Sequence, residues 1–160
     1  MIFVTTGTQE PFDRLVKVAD DIAALLPGVN FKVQAFKSQY EPSNIEIITF
    51  MTPVEFEENL KNARLIISHA GMGTIISALV SQKPIIVMPR LLKFKEHRNE
   101  HQLATARKLD ELKYIDVAYD EKELMEKVLE MWPDKLRCLH QVGKFASGSL
   151  INSLKGFIKE

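Results

Sequence analysis

Ser68-His69-Ala70-Gly71-Met72-Gly73-Thr74 decides the fold of this chain. The apolar run Leu65-Ile66-Ile67 leads into it, and helix-spaced residues from Ile75 to Val80 follow. A short unbroken apolar run is the pattern of a central parallel strand, covered on both faces. Two glycines among small residues then turn the chain, and the hydrophobic period changes from strand to helix.

The same theme repeats on either side. Ile2 to Val4 reads as a buried first strand ending at Thr5-Thr6-Gly7-Thr8, and Phe12 to Leu26 recur at helical spacing until Pro27-Gly28. Asp13 and Arg14 open that helix and are expected to help position the glycine loop. Strands are expected over 31–36 and 45–50. Thr52-Pro53-Val54-Glu55 is a helix start with N-cap, N1 proline and capping-box glutamate, and Phe56 and Leu60 face inward from it. Pro84 to Pro89 encloses another buried strand. Polar residues from Lys93 to Gln102 then lead into a helix carrying Leu103, Ala104, Ala106 and Leu109. Tyr114 to Val117 is a last strand, and Asp120 caps a helix through Met131. Leu150, Ile151, Leu154, Phe157 and Ile158 predict an amphipathic C-terminal helix. Strands alternating with helices give an α/β domain over 1–160, with a parallel sheet and helices on both faces. Ligands of such sheets bind beyond the strand C-termini, where both glycine turns lie.

The 160 residues carry 21 basic and 21 acidic side chains, a net charge of zero, which excludes a bulk electrostatic nucleic-acid binder. The single cysteine, Cys138, allows neither an intrachain disulfide nor a cysteine metal cluster, and a reducing cytoplasm is expected. No metal motif is read. The N-terminal run is too short for a signal peptide, and no apolar run reaches a membrane span.

A phosphate-binding loop needs a closely approaching backbone, outward N–H groups and a helix starting at the ligand. Ser68, Ala70, Gly71, Gly73 and Thr74 are small enough, and Thr74 is placed to cap the helix. The competing reading is a turn that merely joins strand to helix. The Walker sequence is absent, since no Gly-Lys-Ser/Thr follows, and only two glycines stand where the dinucleotide fingerprint has three.

Three segments carry a wider resemblance. Met1-Ile2-Phe3-Val4-Thr5-Thr6-Gly7-Thr8-Gln9 with Pro11 to Val16, the loop Ser68 to Thr74, and Lys95-Glu96-His97-Arg98-Asn99-Glu100-His101-Gln102 together resemble the glycosyltransferase family 28 C-terminal domain family. The likeness is strongest to PssE-like subunits of bacterial exopolysaccharide and capsule synthesis, and it extends to the catalytic subunit of the dolichol-linked GlcNAc transferase. It implies a single Rossmann-like domain, equivalent to the C-terminal, donor half of a GT-B enzyme. The implied donor is a UDP-sugar, with no cofactor, and the implied reaction is inverting transfer of a hexose, galactose by this resemblance, to a lipid-linked glycan. The acceptor half is then a membrane-anchored, PssD-like partner. This chain would be cytoplasmic, held peripherally at the inner face of the membrane by that partner.

By the same resemblance, His69, Ala70, Gly71, Met72, Gly73 and Thr74 hold the diphosphate, joined by Ser68, while Gly7, Thr8 and Gln9 face the cleft from the first strand. Gln102 lies near the donor sugar and ribose, with Arg98 and His101 counted in the same site. Where many relatives carry a glutamate for the ribose hydroxyls, this chain has Ser77. For the basic run Arg90 to Arg98 the alternatives are a solvated loop, a phosphate site using His97 and Arg98, or contact with a membrane surface. His69 is the candidate base on this chain, against a role in shaping the loop. The alternatives to a catalytic subunit are a non-catalytic binding or scaffolding subunit, and a GlcNAc transferase subunit of the dolichol-pathway type.

Overall fold

The computed structural model describes residues 1–143, and the helix expected over residues 150–158 lies outside them. Six strands form one parallel sheet in the order β3-β2-β1-β4-β5-β6. They are β1 (Ile2–Thr5), β2 (Phe31–Gln34), β3 (Ile47–Ile48), β4 (Leu65–His69), β5 (Ile85–Met88) and β6 (Asp116–Val117). The helices are α1 (Asp13–Leu25), α2 (Pro53–Asn62), α3 (Met72–Val80), α4 (His101–Glu111) and α5 (Glu121–Met131). A 3-10 turn spans Leu92–Phe94.

Successive side chains of a strand point to opposite faces, so each central strand supplies both halves of the core. Ile2, Val4, Leu65, Ile67, Ile86 and Met88 share one cluster with α1 and α5. Phe3, Ile66, Ile85 and Val87 share the other with α2, α3 and α4. β1, β4 and β5 are buried throughout apart from His69, which explains why they read as unbroken apolar runs.

Both helix starts read from local sequence are present. Thr52 and Glu55 form the reciprocal capping box with Pro53 at N1, and the Asp120 side chain accepts the Glu123 N–H at 2.8 Å. Leu60 is buried as expected, while Phe56 is half-buried and meets Phe3 edge-on, with ring centroids 5.3 Å apart.

Four expectations are corrected. Strand β3 shrinks to two residues because it is an edge strand paired only with β2, and Phe50 beyond it is 73% exposed. Strand β2 ends at Gln34 because its partner β1 ends opposite it at Thr5, and β6 is the two residues Asp116 and Val117 paired with Ile86 and Val87. Ser68 and His69 belong to β4 rather than to the loop, because Ser68 pairs with Thr5 and Val87 and His69 pairs with Met88. Thr74 is not the cap: α3 starts at Met72 with Gly71 at the N-cap, and Thr74 is the third residue of its first turn.

The progression of strands reverses between β1 and β4. The loops after these two strands therefore part to opposite sides and leave a crevice at the C-terminal edge of the sheet.

Candidate functional site

A cavity of about 510 Å³ occupies this crevice, within the usual range for a small-molecule site. Of the expected residues, Gly7, Thr8, Gln9, His69, Gly71, Gly73, Thr74 and Gln102 line it. Ser68, Ala70, Met72, Arg98 and His101 do not. Ser68 is fully buried and its hydroxyl donates to the His69 carbonyl at 2.6 Å. Ala70 is buried as well, and Met72 is 47% exposed outside the lining. Arg98 and His101 stand exposed beyond the rim. Gln34, Phe56, Ser77, Arg90 and His97 also line the cavity, which brings Ser77 together with two members of the basic run from Arg90 to Arg98.

The floor is the N-terminus of α3. Its first N–H groups have no intrahelical acceptor, and Gly71 brings no side chain to cap them. A Cβ built on Gly73 meets nothing within 4 Å, so this backbone opens onto free space.

Gly71 and Gly7 are glycines for a different reason. A Cβ on Gly71 would stand 2.8 Å from Cε1 and 2.9 Å from Cδ2 of His69, and one on Gly7 would stand 2.8 Å from the same Cε1. Gly7 also has φ +79°, the left-handed region that other residues resist. The imidazole of His69 thus fills the space two missing side chains leave, and it locks the β1 loop to the β4 loop. Its Nδ1 is buried without a hydrogen-bond partner among the described residues.

Burial, together with the Arg90 and His97 charges and against a smaller opposing effect of the Thr5 backbone, lowers the His69 pKa from 6.5 to about 4. The ring is neutral at pH 7. A group so placed shapes the loop; as a proton acceptor it is weak. The lowered value has a consequence for stability. Unfolded, the ring protonates near 6.5; folded, only near 4. Between those values the unfolded state binds the extra proton, so stability falls as pH drops through this window. At about 1.4 kcal/mol per pH unit the loss approaches roughly 3 kcal/mol. Urea melts at about pH 7 and about pH 5 should therefore differ more in the parent chain than in His69→Gln. Equal acid losses would assign the sensitivity to other groups.

Arg90 closes the other side. It is 2% exposed and extends from the end of β5 beneath the β1 loop. Its guanidinium donates to the carbonyls of Thr6 and Glu10 at 2.6 Å each, to that of Pro11, and to that of Glu96 at 3.4 Å. The Phe12 ring lies 4.8 Å below its Cζ. Burial lowers its pKa to about 10, with Glu96 and Glu10 opposing, so it stays a cation. Gln102 Oε1 accepts the Arg90 N–H at 3.1 Å, which leaves the amide nitrogen of Gln102 for a ligand.

Contrary to the expectation from the sequence, the Arg14 side chain bonds to no residue of the glycine loop. Its guanidinium grips Glu96 at 2.8 and 3.0 Å, reaches Glu121 at 3.1 Å and donates to the Pro89 carbonyl at 3.2 Å. It therefore holds the segment after β5 against α1.

Beside the cleft lies a second, more apolar groove of about 450 Å³ between α2 and α3. Thr8, Phe56 and Ser77 line both cavities, which makes them continuous. Ser77 is exposed to this junction. Among the described residues, no group of histidine, cysteine, aspartate and glutamate side chains is arranged to hold a metal ion.

A family model for the glycosyltransferase family 28 C-terminal domain matches residues 1–152. The UDP-N-acetylglucosamine transferase subunit ALG13 of Candida albicans is 36% identical over 89 residues, covering 56% of this chain and 29% of that protein. Its counterpart in Mus musculus is 31% identical over 117 residues, covering 67% of this chain and 10% of that protein. The chain thus spans under a third of either relative. A solution structure of ALG13 superposes with a TM-score of 0.59 at 19% identity, covering 96% of this chain and 93% of that one. A crystal structure of Acinetobacter baumannii MurG superposes with a TM-score of 0.56 at 17% identity, covering 84% of this chain and 41% of that one. At these identities the superpositions speak for the fold alone.

Proposed function

This chain belongs to the glycosyltransferase family 28 C-terminal domain family, and from that premise we propose that it is the UDP-sugar-binding subunit of a two-chain, inverting hexosyltransferase. The observation that carries the reading is the uncapped α3 N-terminus, opened by Gly73 onto a crevice that continues into an apolar groove. A nucleoside diphosphate sugar has the matching parts. Its diphosphate fits the helix N-terminus, its flat base fits the groove beside Phe56, and its sugar reaches toward Gln102.

In the reaction, an acceptor hydroxyl attacks the anomeric carbon as the bond to the diphosphate oxygen breaks, and the hydroxyl proton passes to a base on the partner chain that holds the acceptor. Negative charge grows on the departing UDP, and the oriented N–H groups of α3 stabilise it there. The acceptor, a lipid-linked glycan, would be held by a membrane-anchored partner chain, and exopolysaccharide or capsule synthesis is the setting proposed. Among the described residues no helix is long and apolar enough to cross a membrane. Galactose is the proposed sugar. The name carried by the curated relatives favours N-acetylglucosamine as the second reading. Titrating the chain with UDP-galactose and UDP-N-acetylglucosamine separates the two.

Gly73→Asp tests the site itself. Asparate at the second position of a helix suits the helix dipole, and a Cβ there meets nothing. The melting temperature should stay within about 2 °C of the parent. A carboxylate at the proposed diphosphate position should weaken UDP binding at least tenfold, or about 1.4 kcal/mol. Unchanged affinity in a titration calorimeter would move the diphosphate away from α3.

A further inference from the structure

A helix N-terminus offers oriented N–H groups but only about half an elementary charge, whereas a diphosphate is at least doubly charged. Three basic side chains line the cleft: His69, Arg90 and His97. His69 is neutral above about pH 4. Arg90 directs its donors to four carbonyls. His97 remains.

Its Nδ1 lies 3.0 Å from Asn99 Oδ1, and the same oxygen accepts the His101 backbone N–H at 3.1 Å. An amide oxygen that accepts a backbone N–H is also an acceptor toward His97, so Nδ1 carries the proton. Nε2 makes no hydrogen bond among the described residues. The carboxylate next door does not compete for the ring: Glu96 is gripped by Arg14 and also accepts the Leu91 N–H at 2.9 Å. The segment that carries His97 is thereby braced against α1.

We infer that His97 is the side chain that meets the donor's diphosphate, its cationic Nε2–H donating to a phosphate oxygen, with Asn99 as the positioning residue that fixes the ring. This assignment rests on the nucleotide-sugar reading above. Of the charged and titratable groups around the ring, the Arg90 cation and the neutral His69 lie on the cleft wall, and Glu10 adds a carboxylate to the same lining. Arg98 is exposed outside it. Since Nδ1 already holds its proton toward Asn99, Nε2 can donate only from the protonated ring, and a bound anion favours that form. UDP binding near neutrality should then take up a proton.

The test titrates the full chain with UDP at about pH 7 in two buffers of different ionisation heat, and follows uridine by NMR. The parent should take up a fraction of a proton per UDP. His97→Gln should lose that uptake and bind UDP about tenfold more weakly, with uridine affinity and melting temperature unchanged. Asn99→Ala should fall between the two; parent-like UDP affinity in that variant would remove Asn99's role. His97→Gln that binds UDP within twofold of the parent, or keeps the proton uptake, overturns the assignment and leaves the UDP reading standing. A parent chain that binds neither UDP nor uridine overturns both.

Discussion

Gly71→Ala should lower the melting temperature by about 5–10 °C, although the backbone at this position would accept any residue. Its φ of −87° and ψ of 126° are ordinary, so the effect is steric. The new methyl would stand 2.8 Å from His69 Cε1, closer than carbon atoms approach. The ring is confined, because its Cε1 and Nε2 also lie against Gly7 and the His69 backbone is held in register with Met88 of β5. Overpacking of this kind costs about 1–3 kcal/mol, and in a chain of this size each kcal/mol lowers the midpoint by about 2–4 °C. The informative control is the double variant Gly71→Ala with His69→Ala. Removing the ring removes the clash, so the second substitution should recover part of the lost stability, a coupling expected only between residues in contact. If Gly71→Ala melts with the parent, or the double variant is the sum of two losses, the interlock of His69 with the two glycines is wrong. Gly73→Asp, two residues on, should spare the fold and lose the ligand. The contrast separates a glycine kept for packing from one kept for access.

Arg90→Met should be the most damaging single substitution of a cleft residue, at about 3–5 kcal/mol, the range for breaking a buried charged network by removing one partner. Four carbonyls lose their common donor, and each buried acceptor left unpaired costs about 1–3 kcal/mol. Methionine keeps the apolar stem as far as the Nε position and removes the guanidinium, so the loss reports its hydrogen bonds together with the contact of Cζ on Phe12. Arg90→Lys should recover little, since an ammonium cannot present the planar fork that reaches several carbonyls at once. Amide exchange of residues 6–10 should accelerate with the loss of stability, and UDP affinity should fall because the β1 loop no longer holds its place. Denaturant melts in which Arg90→Met coincides with the parent would show that water replaces the guanidinium without cost.

Much of the architecture was legible from local sequence. Leu65-Ile66-Ile67 reads as a central strand because a strand covered on both faces must be apolar at every position. Thr52-Pro53-Val54-Glu55 and Asp120 read as helix starts because a cap involves neighbours in sequence. The glycine turn after β4 reads as a strand-to-helix junction with an accessible backbone because its residues are small, and a Cβ on Gly73 does meet open space. The resemblance carried by Gly7-Thr8-Gln9, the β4 turn and Gln102 pointed to one crevice, and Gly7, Thr8, Gln9, His69, Gly71, Gly73, Thr74 and Gln102 do line it together.

What stayed illegible involves partners far apart in the chain. Glycine at 7 and at 71 looks alike in sequence, yet both make room for the same imidazole. Arg90 looks like one more cation in a basic run, and only the fold brings it beneath carbonyls about 80 residues away. Arg98 and His101 share that run with His97 and fall outside the lining, because the 3-10 turn and the Arg14–Glu96 pair decide which face of the segment meets the cleft. Local periodicity and capping depend on residues a few positions apart, so the sequence by itself determined strands, helices and their alternation. Which histidine packs between two glycines, which residues of the basic run reach the cleft and which arginine holds the loops depend on distances across the sheet, and only the tertiary structure decided them.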